Sequence, residues 1–396
     1  MEAVAHGGHC VARHEGRVVF VRHALPGERV IAEVSEGAPG DRYWRADAVE
    51  VLDASPDRVE PPCPYAGPRR CGGCDWQHAA LAAQRLLKGD VVAEQLRRLA
   101  GIERSVEVEP VPGDHGGLDW RTRVRYAVDE AGRVGLRRHR SHEVVAVDLC
   151  RIAHPAIAEP AVLAGDRVPG RDVSAVVSAG GEVLVDGRSP TGGSYAREVA
   201  AGRDWRVSAG GFWQVHPGLA DVLVDAVLDM LAPHPGERGL ALYSGVGLFA
   251  GALADRVGPG GRVVAVESNA RAVADARRNL HAVPTVRLVP GRVEQVLPRL
   301  GLDSVDVVVL DPPRTGAGRR VVAALAALQP RSLAYVACDP AALARDVAAF
   351  SGHGYGLAAL RAFDAFPMTH HVECVALLRR AANPASPATQ LTRRLS

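Results

Sequence analysis

Residues 332–346 read S-L-A-Y-V-A-C-D-P-A-A-L-A-R-D. The first six residues form an apolar run of strand length, Asp339-Pro340 ends that run, and the remainder, rich in alanine and leucine, predicts a helix. A strand that leads directly into a helix is the repeating unit of a parallel α/β sheet, which binds ligands at the carboxyl ends of its strands. The pattern therefore places Cys338 at such an edge, although most unpaired cysteines are small buried hydrophobic residues.

The same alternation of helices and apolar strands extends back to about residue 217 and forward to residue 378. It predicts a doubly wound α/β sheet, in which apolar strands are covered by helices on both faces. The predicted strands are 239–243, 262–267, 286–289, 305–310, 333–337, 357–363 and 372–378, and the predicted helices are 219–231, 269–280, 318–328 and 340–350.

The first half of the chain has a different pattern. Short β-prone runs at 10–13, 17–22, 29–34 and 46–52 alternate with Gly/Pro turns and predict an OB-like barrel. A helix at 79–101 and further β signals predict a central α+β domain. We therefore expect a barrel at 1–53, a central domain at 54–205, the α/β domain at 206–380 and a flexible tail at 381–396.

The composition is that of a globular protein. There is no apolar run of the eighteen or so residues that a membrane span requires, and no signal-peptide layout. We expect a cytoplasmic monomer without a membrane partner. Lys88 is the only lysine, so almost all positive charge is arginine. Seven arginines fall within twenty residues, at 121, 123, 125, 133, 137, 138 and 140, and form either a solvated basic face or a surface that tracks phosphates.

The seven cysteines are too few for a disulfide scaffold in a chain of 396 residues. Cys63, Cys71 and Cys74 form C-x7-C-G-G-C, and Cys150 follows a strand-like run. Four such thiols predict a metal centre. Both a four-thiolate zinc site and an iron–sulfur cluster use that number of ligands, and the spacing does not choose between them.

Several polar residues follow strands of the predicted sheet. Tyr243 leads into Ser244-Gly245-Val246-Gly247, and Glu267 ends the next strand, where such folds bind ribose hydroxyls. This arrangement fits a dinucleotide or S-adenosylmethionine. Asp311 opens D-P-P-R, so its carboxylate should lie beside Cys338, and Arg314 could meet a phosphate.

A final motif, F-P-M-T-H-H-V-E, covers residues 366–373. Its Glu373 is either an outward surface acid or a base at the sheet edge. If His370 and His371 lay in the strand that follows, they would point to opposite faces and would not bind one metal together.

Taken together, these motifs resemble the RNA uracil-5-methyltransferase family over nearly the whole chain. The start of the barrel is similar to a TRAM domain, and F-W-Q-V at 212–215, L-Y-S-G-V-G, D-P-P-R, Y-V-A-C-D-P and F-P-M-T-H-H-V-E are the family's motifs. The resemblance implies a class I methyltransferase fold and RNA as substrate. It also implies that Cys63, Cys71, Cys74 and Cys150 hold a 4Fe–4S cluster.

The resemblance further implies a covalent mechanism on uridine. Cys338 would add to C6 of uracil, C5 would take the methyl group of S-adenosyl-L-methionine, and Glu373 would remove the C5 proton. Gln214, Tyr243, Glu267 and Asp311 match the family's cofactor-binding positions. The barrel and the cysteine set resemble the branch that acts on 23S rRNA, with tRNA as the alternative substrate.

Two classes of protein compete with this interpretation. A nucleotide-binding oxidoreductase would use the glycine loop and Glu267 but leaves Cys338 and D-P-P-R unexplained. A non-catalytic RNA-binding protein with a degenerate methyltransferase domain is favoured by Ala241, which stands where the family usually has an acid.

Overall fold

A computed structural model describes residues 1–159, 167–189 and 192–380. The predicted tail at 381–396 lies outside these residues. The amino-terminal strands are β1 (Cys10–His14), β2 (Arg17–Arg22), β3 (Arg29–Glu36) and β4 (Tyr43–Asp53). They form a four-stranded sheet in the order β1-β2-β4-β3, with β2 and β4 parallel. All four strands were predicted, because alternating apolar residues mark the face that packs inward.

The central segment carries a helix and two small sheets. The elements are α1 (Leu81–Gln95), continued by a π-helical turn (Leu96–Ala100), β5 (Val108–Pro110), β6 (Arg123–Val128), β7 (Val134–Arg137), β8 (Val144–Ala146), α2 (Pro155–Ala158), β9 (Val173–Val177), β10 (Val183–Val185), β11 (Tyr195–Ala200) and β12 (Arg203–Ser208). Strands β6–β10 form a five-stranded sheet in the order β10-β9-β6-β7-β8, and β11 and β12 form an antiparallel hairpin.

The carboxyl-terminal half is built on an eight-stranded sheet in the order β15-β14-β13-β16-β17-β19-β18-β5. The strands from β13 to β17 are parallel, whereas β19 runs antiparallel to both of its neighbours. Its elements are α3 (Leu219–Leu231), β13 (Arg238–Leu242), α4 (Leu248–Val257), β14 (Arg262–Glu267), α5 (Ala270–Asn279), β15 (Val286–Pro290), α6 (Val293–Val296), a 3-10 turn (Leu297–Arg299), β16 (Val307–Leu310), α7 (Gly318–Ala327), β17 (Ser332–Ala337), α8 (Pro340–Ser351), β18 (Tyr355–Asp364) and β19 (Glu373–Arg380).

Both faces of this sheet are buried. Val307 and Val309 pack on one side with α3 and α4, while Val308 and Leu310 pack on the other with α7 and α8. Burying each such side chain contributes about 1.5–3 kcal/mol. Strands buried on both faces have continuous apolar sequences, and this is why the sequence predicts them well.

The central segment is not separate from the α/β sheet. Strand β5 pairs in parallel with β18 at the edge of the sheet, and Val92 and Leu96 pack in the same core as α8. Part of the central segment, β5 and the end of α1, therefore belongs to the core of the α/β sheet, while residues such as Trp120 and Tyr126 form a separate core cluster. Among the described helices, none is long and apolar enough to cross a membrane.

Candidate active site

One cleft of about 680 Å³ lies at the carboxyl ends of β13, β14, β16 and β17. The strand order reverses at β13, which has β14 on one side and β16 on the other, and ligands bind at such switch points. All six side chains predicted for catalysis and cofactor binding line the cleft, namely Gln214, Tyr243, Glu267, Asp311, Cys338 and Glu373.

The loop after β13 is held in an unusual backbone conformation. Tyr243 has φ 56°, in the left-handed region that side chains disfavour, and Gly247 has φ 102°. A Cβ at Gly247 would lie 2.6 Å from Leu280 Cδ1, so only glycine fits there. Gly247 thereby packs closely against Leu280 at the start of α4, while Tyr243 and Gly245 of the same loop line the cleft.

Glu267 ends β14 beside this loop, and two hydrogen bonds fix its carboxylate. Its Oε2 accepts a hydrogen bond from the Gly245 N–H at 2.9 Å, and its Oε1 accepts one from the Asn269 N–H at 2.6 Å. A carboxylate has about four lone-pair sites, so each oxygen can still accept a further bond. Glu267 is therefore oriented to accept hydroxyl groups of a ligand in the cleft.

Asp311 follows β16 directly, and burial raises its pKa from 3.8 to about 7. The folded protein therefore holds a proton that the unfolded chain releases at lower pH. The contribution of Asp311 to stability is then greatest at acidic pH and falls as the pH rises towards 7.

We expect the Asp311→Asn variant to lose part of this pH dependence. Between about pH 5 and pH 7, the wild-type free energy of unfolding should fall more steeply than that of the variant, by at most about 1.4 kcal/mol per pH unit. Urea denaturation at several pH values measures the difference. Asp303→Asn, at an exposed site, should follow the wild type. Parallel curves for the wild type and Asp311→Asn would contradict the raised pKa.

Cys338 and Glu373 meet at the end of an antiparallel strand pair. Ala337 is opposite Cys374 in the register of β17 and β19, which places Cys338 across from Glu373. Burial, followed by the charge of Glu373, raises the pKa of Cys338 to about 11. Glu373 is only 4% exposed, and burial, followed by Asp311, raises its pKa well above the ordinary value. Cys338 therefore holds its proton near neutral pH in the ligand-free cleft, and burial favours the protonated form of Glu373.

Arg314 is the cation that opposes these shifts. Its charge lowers the pKa of both Cys338 and Glu373, and its side chain lines the cleft beside them. The arginine thus favours the thiolate and carboxylate forms that nucleophilic and base chemistry require.

The turn before Glu373 is fixed by the central segment. The Met368 carbonyl oxygen accepts hydrogen bonds from the N–H groups of Asp75 and Trp76, both at 3.0 Å. The Met368 N–H donates to Gln84 Oε1 at 2.8 Å, and Lys88 Nζ donates to the Phe366 carbonyl at 3.1 Å. Residues 75 and 76 follow Cys74 directly, so the cysteine loop supports the turn that leads into Glu373.

The histidine pair lies in this turn rather than in β19, so the expectation that the two side chains point to opposite faces is wrong. Their rings are 4.1 Å apart. His370 Nδ1 lies 2.6 Å from Asp75 Oδ2, whereas His371 lines the cleft. Although burial opposes ionisation of Asp75, His370 and Arg22 hold its pKa below the ordinary value.

Three supporting side chains were not predicted to have these roles. Lys88 is fully buried and forms an ion pair with Asp364, and Asp75 binds the histidine turn. His6 of the barrel pairs with Asp339 at 3.2 Å, next to the predicted nucleophile. The available signals were the uniqueness of Lys88 and the position of His6 in the TRAM-like motif.

The four predicted cluster cysteines line a second cavity, together with apolar side chains such as Leu136 and Ile152. All four are free thiols, and burial raises the pKa of Cys71 to about 11 and also raises that of Cys74 and Cys150. Across 1–159, 167–189 and 192–380, no three His, Cys, Asp or Glu side chains are arranged around a single metal ion. In a 4Fe–4S cluster each thiolate binds a different iron, so four thiols around one cavity fit such a group.

The cysteine loop itself packs tightly on the central sheet. The Gly72 N–H donates to the Arg137 carbonyl at 3.0 Å, and a Cβ at Gly72 would lie 2.3 Å from the His139 nitrogen. This close contact fixes Cys71 and Cys74 relative to β7. The lack of space for a Cβ explains why the residue after Cys71 is a glycine, Gly72.

Comparison with known proteins gives consistent results along the chain. The family profile for tRNA (uracil-5-)-methyltransferases matches residues 201–381, and the profile for TRAM domains matches residues 1–49. The chain is 54% identical to an uncharacterized RNA methyltransferase of Streptomyces avermitilis, over 96% of this chain and 97% of that protein. It is 40% identical to an uncharacterized RNA methyltransferase of Bifidobacterium longum, over 96% of each chain.

A solved structure resembles the chain over most of its length. This is the crystal structure of the Pyrococcus abyssi tRNA (uracil-54, C5)-methyltransferase in complex with S-adenosyl-L-homocysteine. The TM-score is 0.68 and the sequence identity 25%, with 91% of this chain and 95% of that chain covered.

Proposed function

The chain belongs to the tRNA (uracil-5-)-methyltransferase family, with a class I methyltransferase fold and a TRAM domain, and we propose that it methylates C5 of a uridine in RNA. The observation that carries the proposal is the shared cleft. A thiol at Cys338 and a buried acid at Glu373 open onto the same space as Glu267 and the glycine loop. S-adenosyl-L-methionine supplies the methyl group when it is bound.

In the proposed mechanism Cys338 and Glu373 first give up their protons to solvent, and the sulfur of Cys338 adds to C6 of the uracil. The electron pair displaced from the C5=C6 bond makes C5 nucleophilic, and C5 takes the methyl group. Glu373 then removes the C5 proton, the C5=C6 bond re-forms, and the carbon–sulfur bond breaks with its electron pair returning to Cys338. Arg314 favours both required anions, and Gln214, Tyr243, Glu267 and Asp311 hold the cofactor.

The uridine has to leave its base stack to reach Cys338. Phe212 lies at the rim of the same cleft with 70% of its side chain exposed. An exposed aromatic ring in a nucleic-acid enzyme provides a stacking surface for a base. Phe212 is therefore the side chain that we assign to hold the flipped uracil or its neighbour.

The proposed substrate is 23S rRNA, on the resemblance of the barrel and cysteine set to that branch of the family. A tRNA is the second candidate, favoured by the likeness to the Pyrococcus abyssi enzyme along 91% of this chain. Incubation with methyl-labelled cofactor and with undermodified 23S rRNA and tRNA, followed by mapping of 5-methyluridine, tests both. Labelled 5-methyluridine in neither RNA would overturn the proposed function and favour the non-catalytic RNA-binding alternative.

We also propose that Cys63, Cys71, Cys74 and Cys150 hold a 4Fe–4S cluster. Protein purified without oxygen should contain iron and acid-labile sulfide in equal amounts, because the cluster has one sulfide for each iron. The Cys74→Ser variant should lose most of both. Cys10→Ala, which removes a buried thiol of the barrel, should retain them. Zinc without iron in the wild type would overturn this assignment, and the measurement does not depend on activity.

A further inference from the structure

A second polar pocket lies between the barrel and the central segment, away from the methyl-transfer cleft. We name it the interdomain basic pocket, and its volume is about 220 Å³. Three parts of the chain form it: the barrel, the loop before Cys71, and the turn that follows β7. Six arginines line it, namely Arg22, Arg45, Arg69, Arg70, Arg138 and Arg140.

The carboxylates near this pocket only partly balance its arginines. Glu36 and Asp47 line the pocket, and Glu36 pairs with both Arg45 and Arg140, at 2.8 and 3.5 Å. Three further acids reach the arginines from outside the lining: Glu33 pairs with Arg69, Glu143 with Arg138, and Asp75 with Arg22.

Arg70 has no such partner. It donates to the Pro64 carbonyl, and within the described residues no carboxylate lies at ion-pair distance from it. The pairs of Arg69, Arg138 and Arg140 are at the surface, whereas Arg22–Asp75 is mostly buried. Surface ion pairs stabilise a protein by only about 0–1 kcal/mol, so a phosphate can recruit the guanidinium groups of these three arginines at little cost. The pocket therefore contains one arginine without a carboxylate partner, Arg70, and several arginines in surface ion pairs.

Two histidines, buried His9 and half-buried His139, add unpaired polar atoms to the wall. His9 is 8% exposed, and its Nε2 has no hydrogen-bond partner, nor does Nε2 of His139. Burial, together with the charge of Arg22, lowers the pKa of both to about 4, so both rings are neutral. A buried polar atom without a protein partner needs another group to satisfy it, and a water or a ligand oxygen in the pocket can do so.

We propose that the interdomain basic pocket binds a backbone phosphate of the RNA substrate. The proposal rests on the proposed function and adds a contact remote from the target uridine. Guanidinium groups bind phosphate through two parallel N–H donors, which suits the arginine-lined wall. Of the arginines clustered in the sequence, Arg138 and Arg140 reach the pocket, whereas Arg123, Arg133 and Arg137 pair with acids elsewhere.

The pocket is connected to the catalytic turn through Arg22. This arginine lines the pocket and lies 3.5 Å from Asp75, whose other oxygen is bonded to His370. His370 is in the turn that leads into Glu373. Arg22 thus lies two hydrogen-bonded contacts away from the turn that leads into the proposed base, with Asp75 between them.

The test removes two exposed arginines of the pocket at once, as Arg70→Gln with Arg140→Gln. We expect the Kd for a fluorescein-labelled single-stranded oligouridylate to rise about 3- to 10-fold and the slope of log Kd against log salt to fall by about 1. The control, Arg97→Gln with Arg98→Gln, removes the same charge from the exposed end of α1 and should change neither value.

A third variant is expected to act in the opposite direction. Glu36→Gln releases Arg45 and Arg140 from their shared carboxylate, so it should tighten binding of the same oligouridylate, a result that unfolding cannot imitate. Equal affinities and salt slopes for the pocket and control pairs would overturn the proposal. Binding does not require methyl transfer, so an RNA-binding wild type that methylates no RNA would remove the proposed function and leave the pocket standing.

Discussion

The Cys338→Ala variant should lose at least about 10³-fold of the methylation rate, because removing a covalent nucleophile leaves only binding and orientation. The cleft retains its remaining side chains, so the affinity for S-adenosylmethionine should stay near that of the wild type. Transfer of the labelled methyl group to RNA measures the first quantity, and isothermal titration measures the second.

The matched control for Cys338→Ala is Cys10→Ala. Cys10 is also a free thiol, fully buried where Cys338 is half-buried, and it lies in the barrel and donates to the Ala24 carbonyl at 3.2 Å. We expect this variant to methylate RNA at the wild-type rate. Methylation that persists undiminished in Cys338→Ala would exclude the covalent mechanism, even if the RNA product proved to be 5-methyluridine.

The pH dependence of this first step also follows from the cleft. Burial raises the pKa of Cys338 to about 11, so the thiolate is a minor form at neutral pH in the free enzyme. Addition to C6 therefore requires either a rare thiolate or a bound state in which Arg314 and the positively charged cofactor favour it. A rare thiolate predicts a rate of adduct formation that keeps rising with pH towards about 11, whereas a bound state that favours the thiolate moves this rise to lower pH.

The sequence was sufficient to predict the sheet and the residues of the cleft for a physical reason. Strands buried on both faces must be apolar throughout, so β16 and β17 stand out from their surroundings. Polar residues directly after such strands, including Asp311 and Cys338, are brought together by the parallel arrangement alone. Their location needed no knowledge of side-chain contacts, whereas their roles remain proposals.

Contacts between distant parts of the chain could not be predicted in this way. Strand β5 has three residues and depends on β18 for its pairing. Lys88 and Asp364 are separated by 276 positions, and neither residue type is expected in a core without a partner. Hydrophobic periodicity reports local structure. It does not show which distant segment pairs with the edge strand of a sheet, or which distant residue neutralises a buried charge.

The Glu373→Gln variant should accumulate a covalent protein–RNA adduct. An amide cannot accept the C5 proton, so elimination stops after methyl transfer and turnover should fall by about 10²- to 10⁴-fold. Because burial favours the neutral form of Glu373, the neutral and isosteric glutamine should leave the fold intact. A denaturing gel with labelled RNA detects the adduct, and thermal unfolding checks the fold.

The double variant Cys338→Ala with Glu373→Gln is the control, since it lacks the sulfur that forms the adduct and should give no shifted band. Wild-type turnover without an adduct in Glu373→Gln would mean that another group removes the proton. Asp311 would then be the principal rival, because burial brings its pKa to about 7, where a general base works best, and it shares the cleft with Cys338. Asp311→Asn would in that case accumulate the adduct, whereas a cofactor-binding Asp311 requires the same variant to weaken S-adenosylmethionine binding without trapping RNA.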